Sequence, residues 1–171
     1  MSGHSGYGRL LMNEKYLRIY MQDHLAGSTA GLELARRTSG SNEGTEYGPP
    51  LARIADEIDA DRRHLQGIIG DLGFGGDRLK NVAAWSLEKM GRLKLNGQLT
   101  GYSPLSRVVE LEGLLTGITG KKGLWLALLQ IAPSEPRLDT ALLERLRDRA
   151  EEQRGTVEEL REKAAQEAFT T

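Results

Sequence analysis

Between Leu51 and Leu72 every third or fourth residue is apolar, with one acidic exception, and this periodicity constrains the fold more than any other feature. The seven positions are Leu51, Ile54, Ile58, Asp61, Leu65, Ile68 and Leu72. Spacings of three and four residues place side chains on one face of an α-helix. The stretch is therefore predicted to be a helix that packs this face into a hydrophobic core.

Capping and breaking residues divide the rest of the chain into further helices. Asn13 and Ser103 each precede an apolar-periodic stretch as candidate N-caps, and Pro104 suits a first helical turn. No stretch shows the alternation of a strand. Five helices are predicted, from about Glu14 to Thr38, Pro49 to Leu72, Arg78 to Leu93, Pro104 to Ile131 and Asp139 to Phe169.

The lengths of the connections predict the topology. The first and second helices, and the last two, are joined by short loops that favour antiparallel neighbours. About thirty residues, including the short third helix, separate the two hairpins. The fold class is predicted to be all-α, an antiparallel four-helix bundle with one long crossover. Residues 1–12 are expected to be a flexible N-terminus, and residues 13–171 a single domain.

Composition excludes several classes of protein. The 171 residues include no cysteine, which excludes disulfides, thiolate metal sites and iron–sulfur clusters. Twenty-three basic and 24 acidic residues give a net charge of -1 and no overall reason to expect nucleic acid as a partner. No apolar run is long enough to span a bilayer, and the first eight residues lack the apolar run of a signal peptide. A cytoplasmic protein is expected.

Polar residues inside the apolar stripes are the first candidate site. Asp61, Gln153 and His24 each lie mid-helix on such a stripe and are predicted to form a buried polar layer. A buried carboxylate needs compensation by a partner. A satisfied hydrogen-bonded network is favoured. The alternative is one Zn, Fe or Mn ion held by some of His24, Glu57, Asp61, His64 and Glu112.

Glycines on two helix faces are the second candidate. They are Gly27 and Gly31 on the first helix, and Gly113, Gly117, Gly120 and Gly123 on the fourth. An interior glycine costs up to about 1 kcal/mol relative to alanine. Close packing of the two helices is the favoured explanation. The alternatives are space for a flat ligand or a kinked, mobile helix.

Two surfaces are candidates for association. The third helix is basic, with Arg78, Lys80, Lys89, Arg92 and Lys94, and is expected to pack on the bundle with its basic face in solvent. The alternative is association with an anionic membrane or nucleic acid. The fourth helix has more apolar residues than a single core-facing side requires. A homodimer is therefore expected, with an interface that includes Trp125, Leu126 and Leu129.

The layout of two hairpins and a crossover, with Asp61-Arg62-Arg63-His64 where the family has Glu-x-x-His, resembles the ferritin-like superfamily. The stretches YLRIYMQDHLAG, LARIADEIDADRRHL and GRLKLNG are similar to an uncharacterised bacterial family within it. A di-iron member needs a carboxylate-x-x-His motif from two helices, and the last helix has no histidine. The first helix offers His24 or Asp23 where a glutamate is expected. The resemblance therefore implies a degenerate or absent di-iron site.

The favoured function is a binding or structural module without a resident cofactor, rather than an enzyme. One alternative is a metal-dependent oxidoreductase with a reduced site on the five residues named above. A second alternative is membrane or nucleic-acid association through residues 78–94. These residues specify no substrate.

Overall fold

The computed structural model describes residues 12–75 and 102–170, and these ranges contain four long α-helices and no strand. They are α1 (Glu14–Ser41), α2 (Gly48–Asp71), α3 (Pro104–Ile131) and α4 (Thr140–Phe169). A short 3-10 helix, Ala132–Ser134, lies between α3 and α4. The prediction of an all-helical chain is confirmed for this part of it. The predicted helix Arg78 to Leu93 lies outside the described residues.

Local hydrogen bonds explain where the helices begin. The side chains of Asn13, Ser103 and Asp139 accept hydrogen bonds from the backbone N–H three residues later, at 3.2, 3.1 and 3.0 Å. Each bond satisfies one of the N–H groups that have no partner within the helix. Helix α2 begins without a side-chain cap and carries Pro49 and Pro50 in its first turn. The helix starts follow the sequence signals closely.

Helix α1 is longer than predicted. It was predicted to end at about Thr38, but the helix continues to Ser41. The reason is Asn42, which is buried, donates its backbone N–H to Ser39 O at 3.1 Å and donates Nδ2 to Thr38 O at 2.7 Å. These bonds satisfy the last carbonyls of the helix.

Each helix packs antiparallel to its two neighbours. The α1–α2 and α3–α4 hairpins form the largest helix contacts, and α1 also packs on α3, and α2 on α4. Arg37 Nε donates to Glu110 Oε1 at 3.0 Å near the end of α1, whereas Met21 and Leu25 share a cluster with Leu124 near the other end of α3. Residue numbers thus rise along α1 as they fall along α3.

The chain leaves α2 and enters α3 at opposite ends of the bundle. Tyr102, just before α3, accepts a hydrogen bond at Oη from Asn42 Nδ2 at 2.7 Å, beside the end of α1. Leu72, just after α2, accepts a hydrogen bond from Arg137 NH1 at 3.1 Å, beside the start of α4. The segment between α2 and α3 therefore joins the two ends of the bundle.

Two apolar clusters fill the bundle, one in each half. In the first, α2 contributes Leu65 and the residues after it, together with Trp125 of α3 and Leu146 of α4. In the second, α2 contributes Ile58 and the residues before it, together with Ile118 and Val157. Asp61, Lys121 and Gln153 lie between these clusters on α2, α3 and α4. The core is therefore divided by a layer of polar side chains.

We predict that α1 and α3 can be joined covalently in the antiparallel register. Because the chain has no cysteine, Arg37→Cys with Glu110→Cys provides the only two thiols. A short bis-maleimide should cross-link this pair within one chain, since the native side chains form an ion pair at 3.0 Å. The product is measured as a mobility shift on a denaturing gel. Arg37→Cys with Leu126→Cys is the control, and equally efficient cross-linking of that pair would contradict the register.

Candidate functional site

The carboxylate of Asp61 is the centre of the polar layer. It is 1% exposed and receives hydrogen bonds from two cations on other helices. Lys121 Nζ donates to Oδ2 at 2.5 Å, and Arg149 donates to Oδ1. A buried charge is tolerated when it is both paired and hydrogen-bonded. The sequence pattern predicted that Asp61 needs a partner, but it did not identify Lys121 or Arg149.

Gln153 completes the layer from α4. Its side chain is fully buried, and its Oε1 accepts a hydrogen bond from Lys121 Nζ at 2.5 Å. Its Nε2 donates to Glu57 Oε2 at 3.0 Å and to Asp61 Oδ2 at 3.3 Å. The stripes on α2 and α4 predicted both Asp61 and Gln153 to be buried, and both are. Burial lowers the pKa of the Lys121 ammonium, and the charge of Asp61 opposes this shift.

The five candidate metal ligands do not come together. His64 and Glu112 are exposed, while Glu57 is half-buried and binds Gln153. In the described ranges no three histidine, aspartate or glutamate side chains lie close enough to hold a metal ion. The alternative of a metal site on these five residues therefore has no support here, because Leu65 takes the inward position next to His64. On α3, Leu111 and Leu114 likewise face the core on either side of Glu112.

A cleft of about 480 Å³ lies between α1 and α3, with α2 as its floor. Gly27, Gly31, Gly117 and Gly120 line it, and a Cβ built on any of the four would have no atom within 4 Å. The predicted close packing is therefore wrong at these positions, and also at Gly123, where a Cβ would likewise have no atom within 4 Å. It holds at Gly113, where a Cβ would lie 3.0 Å from Leu34 Cδ2.

The register between the two helices places the glycines of α1 and α3 at matching heights. Continuing antiparallel from the contact of Leu34 with Gly113 brings Gly27 level with Gly120 and Gly31 level with the turn that contains Gly117. Two helix surfaces without side chains thus face one another. The floor and the inner wall are apolar and consist of Ile58, Leu65, Leu114, Ile118 and Leu124.

Polar groups line the same cleft. They are Tyr20, Asp23, His24, Ser28, Asp61, Arg62, Lys121 and Trp125. His24 is half-buried and meets the ring of Tyr20 edge-on, with 4.5 Å between ring centroids. Burial lowers the pKa of the His24 imidazole, and the nearby Asp23 carboxylate opposes this shift. Lys121 belongs both to the cleft and to the ionic layer, and so connects the two.

Two buried donors at the cleft have no acceptor. They are Trp125 Nε1 and Arg62 Nε, for which the described parts of the chain provide no hydrogen-bond partner. Trp125 is 1% exposed, so its N–H has also lost its contact with water. A buried polar group without a partner costs about 1–3 kcal/mol. Such exceptions are uncommon in folded proteins and call for an explanation.

The predicted oligomer interface needs a correction. Trp125 is buried inside its own chain, and Leu129 packs partly against the same core cluster. Leu126 is 41% exposed. The apolar surface on α3 was overestimated because α1 and α4 both pack against this helix. The homodimer itself stays a prediction.

The basic patch of Arg78, Lys80, Lys89, Arg92 and Lys94 lies outside the described residues. Among the helices that are described, none is long and apolar enough to cross a membrane. Comparison of the chain with protein-family models, with curated proteins and with solved structures found no match in any of the three.

Removing the central carboxylate is predicted to destabilise the bundle strongly. Asp61→Ala leaves the cations of Lys121 and Arg149 without their acceptor, and breaking a buried ion pair costs about 3–5 kcal/mol. The free energy of unfolding in urea measures this loss. Asp59→Ala is the matched control, because within the described ranges Asp59 forms ion pairs only with the exposed Arg36 and Arg63, at 3.6 and 3.7 Å. Its cost is expected to be at most about 1 kcal/mol. Equal losses in the two variants would refute a central role for Asp61.

His24 is predicted to make stability depend on pH in mild acid. Its pKa is lowered from 6.5 in the folded chain, so the unfolded chain takes up the proton first as the pH falls. Stability therefore decreases as the pH falls below about 6.5. His24→Gln should flatten the dependence of the melting temperature on pH between about 7 and 5. His64→Gln, which replaces an exposed histidine, should keep the dependence of the parent, and an identical curve for His24→Gln would contradict the assignment.

Proposed function

We propose that this protein is a binding module that holds a flat, largely apolar small molecule in the cleft between α1 and α3. The observation that carries the proposal is the set of four glycines, Gly27, Gly31, Gly117 and Gly120, that face open space on two neighbouring helices. The apolar side chains of Ile58, Leu65, Leu114, Ile118 and Leu124 that line the same cleft are a second observation.

The energetic argument concerns what glycine provides at these positions. Each glycine inside a helix costs about 0.5–1 kcal/mol relative to alanine, so the four together cost roughly 2–4 kcal/mol. An alanine would fit at each of them without a clash. All four lie in helical geometry, so no turn requires glycine there. Compared with alanine, glycine leaves more open space in the cleft. This space offsets the cost to the helices if a ligand occupies it.

The shape and the chemistry of the cleft select the class of ligand. A volume of about 480 Å³ lies within the usual range for small-molecule sites. Although several lining residues carry polar groups, the surface that the walls present to the cleft is mainly apolar, which favours an apolar molecule. Glycine faces on opposite sides favour a flat molecule, because no side chain prevents contact between a ring and the two helix backbones.

The ionic layer makes the cleft rigid on one side. Lys121 lies in the cleft wall, and its ammonium is fixed by Asp61 and Gln153 from two other helices, at 2.5 Å in each case. Side chains fixed by surrounding hydrogen bonds make a site preorganised. A preorganised site loses less conformational entropy on binding.

We also propose that the fold is ferritin-like. The proposal is supported by the chain leaving α2 and entering α3 at opposite ends of the bundle, since one long crossover between two hairpins is typical of that superfamily. The metal-dependent oxidoreductase stays a prediction without a supporting observation in the described residues. The same is true of association through residues 78–94.

Filling the cleft is predicted to abolish binding without harming the fold. N-phenyl-1-naphthylamine, a neutral probe that fluoresces in apolar sites, should bind the parent protein at one site. Gly120→Leu should weaken its binding at least tenfold, because the new side chain extends into the cleft. The same variant should unfold at a higher temperature, since about 1 kcal/mol of helix cost is removed. Fluorescence titration and thermal unfolding measure the two effects.

The matched control is Gly155→Leu on α4. Gly155 also faces open space but does not line the cleft. This variant should be stabilised to a similar degree and should bind the probe as the parent does. Unchanged probe binding by Gly120→Leu, or an equal loss in both variants, would overturn the proposed site.

A further inference from the structure

We infer that Tyr20 limits the length of the ligand, because it separates the cleft from a second cleft farther along α1 and α3. The inference rests on the proposed function and names a specificity-determining residue of the same site. It means that the site takes compact ring compounds and excludes molecules with a long unbranched tail. Among the described residues, Tyr20 alone lines both clefts.

The second cleft has a volume of about 510 Å³ and lies beside the start of α1. Tyr16 and Leu17 line it from α1, and Ala127 and Ile131 line it from α3. The surface that these walls present is mainly apolar. An apolar chain that entered this space would therefore gain affinity by leaving water.

The antiparallel register makes the two clefts consecutive parts of one interface between α1 and α3. The contact of Leu34 with Gly113 sets this register, and the ion pair of Arg37 with Glu110 agrees with it. Continued toward the start of α1, it brings Tyr20 level with Ala127. The first cleft therefore ends, and the second begins, at the height of Tyr20.

Tyr20 is the large side chain at this height. Ala127, its counterpart on α3, extends by only a methyl group. The ring of Tyr20 meets the ring of His24 edge-on, with 4.5 Å between centroids, and His24 lines the first cleft. We therefore expect the tyrosine ring to end the first cleft on this side.

The other end of the first cleft is closed by close packing. A Cβ on Gly113 would lie 3.0 Å from Leu34 Cδ2, so the helices leave no space there. From Gly31 to Tyr20 the cleft follows eleven residues of α1, which is about 17 Å of helix. A longer ligand could stay between the two helices only by passing Tyr20.

The test uses three neutral probes that share one flat ring system, 6-acyl-2-(dimethylamino)naphthalenes with propionyl, hexanoyl and nonanoyl chains. Their fluorescence shifts to the blue in apolar surroundings, so titration with protein measures each affinity. All three should bind the parent protein, and nonanoyl should bind no more than about twofold more tightly than hexanoyl. Its three additional methylenes should stay in water, whereas each buried methylene would raise affinity about fourfold.

Tyr20→Ala should open the passage between the clefts. The nonanoyl probe should then bind at least tenfold more tightly than the hexanoyl probe. Tyr20→Phe keeps the ring and should behave as the parent does. Tyr16→Ala is the matched control, because Tyr16 is a tyrosine one turn earlier that lines only the second cleft. It should also keep the parent ratio.

A second substitution tests the position of the barrier from the opposite helix. Ala127→Phe, added to Tyr20→Ala, places a ring at the same height from α3 and should restore the parent ratio of affinities. Circular dichroism checks that each variant is folded. If Tyr20→Ala is not, Tyr20→Leu replaces it, with the same direction of change expected.

The outcomes separate the two proposals. If the probes bind but Tyr20→Ala keeps the parent ratio, the role of Tyr20 is overturned while the cleft stands as a binding site. An equal rise in Tyr16→Ala or Tyr20→Phe would also overturn it, because neither change removes the ring between the clefts. If none of the three probes binds the parent protein, the proposed binding function fails as well.

Discussion

The rest of the bundle depends on the ionic contact of Asp61 with Lys121 and Arg149, because this contact links three helices at one height. A carboxylate that is 1% exposed has to be reached by cations from other helices, and here they come from α3 and α4. That requirement fixes the heights of three helices relative to one another. It also divides the apolar core into two clusters, since no hydrophobic side chain can occupy the layer.

Helix α1 contributes least to this layer, and the cleft is the consequence. At the same height it carries Gly27, Ser28 and Gly31, which extend little or nothing toward α3. The two helices are held together beyond the cleft instead, by Arg37 with Glu110 toward one end and by the cluster that contains Met21 and Leu128 toward the other. The ionic layer beside one wall and the contacts at both ends leave an open cleft between the two helices.

The sequence does contain a pattern that places Lys121 on the core face of α3. The inward residues Ile118 and Leu124 flank Lys121 at spacings of three, so a lysine occupies the core stripe of α3. Because this helix is apolar on most sides, its sequence did not single out one core face, and Glu112, which is exposed, was the candidate instead. Arg149 gave no such signal, since it lies beside the stripe on α4 and reaches Asp61 through its long side chain.

By itself the sequence determined the helices, their caps and the burial of Asp61 and Gln153, because caps and helical periodicity depend on residues only three or four positions apart. The tertiary structure alone decided which cations compensate Asp61 and that Gly27, Gly31, Gly117 and Gly120 line a cleft instead of a tight helix contact. The intrinsic destabilisation of a helix by glycine is the same whether a neighbouring helix packs closely against the glycine or lies farther away. The separation of α1 and α3 at Gly27 and Gly120 is set by contacts elsewhere along both helices, which no local pattern records.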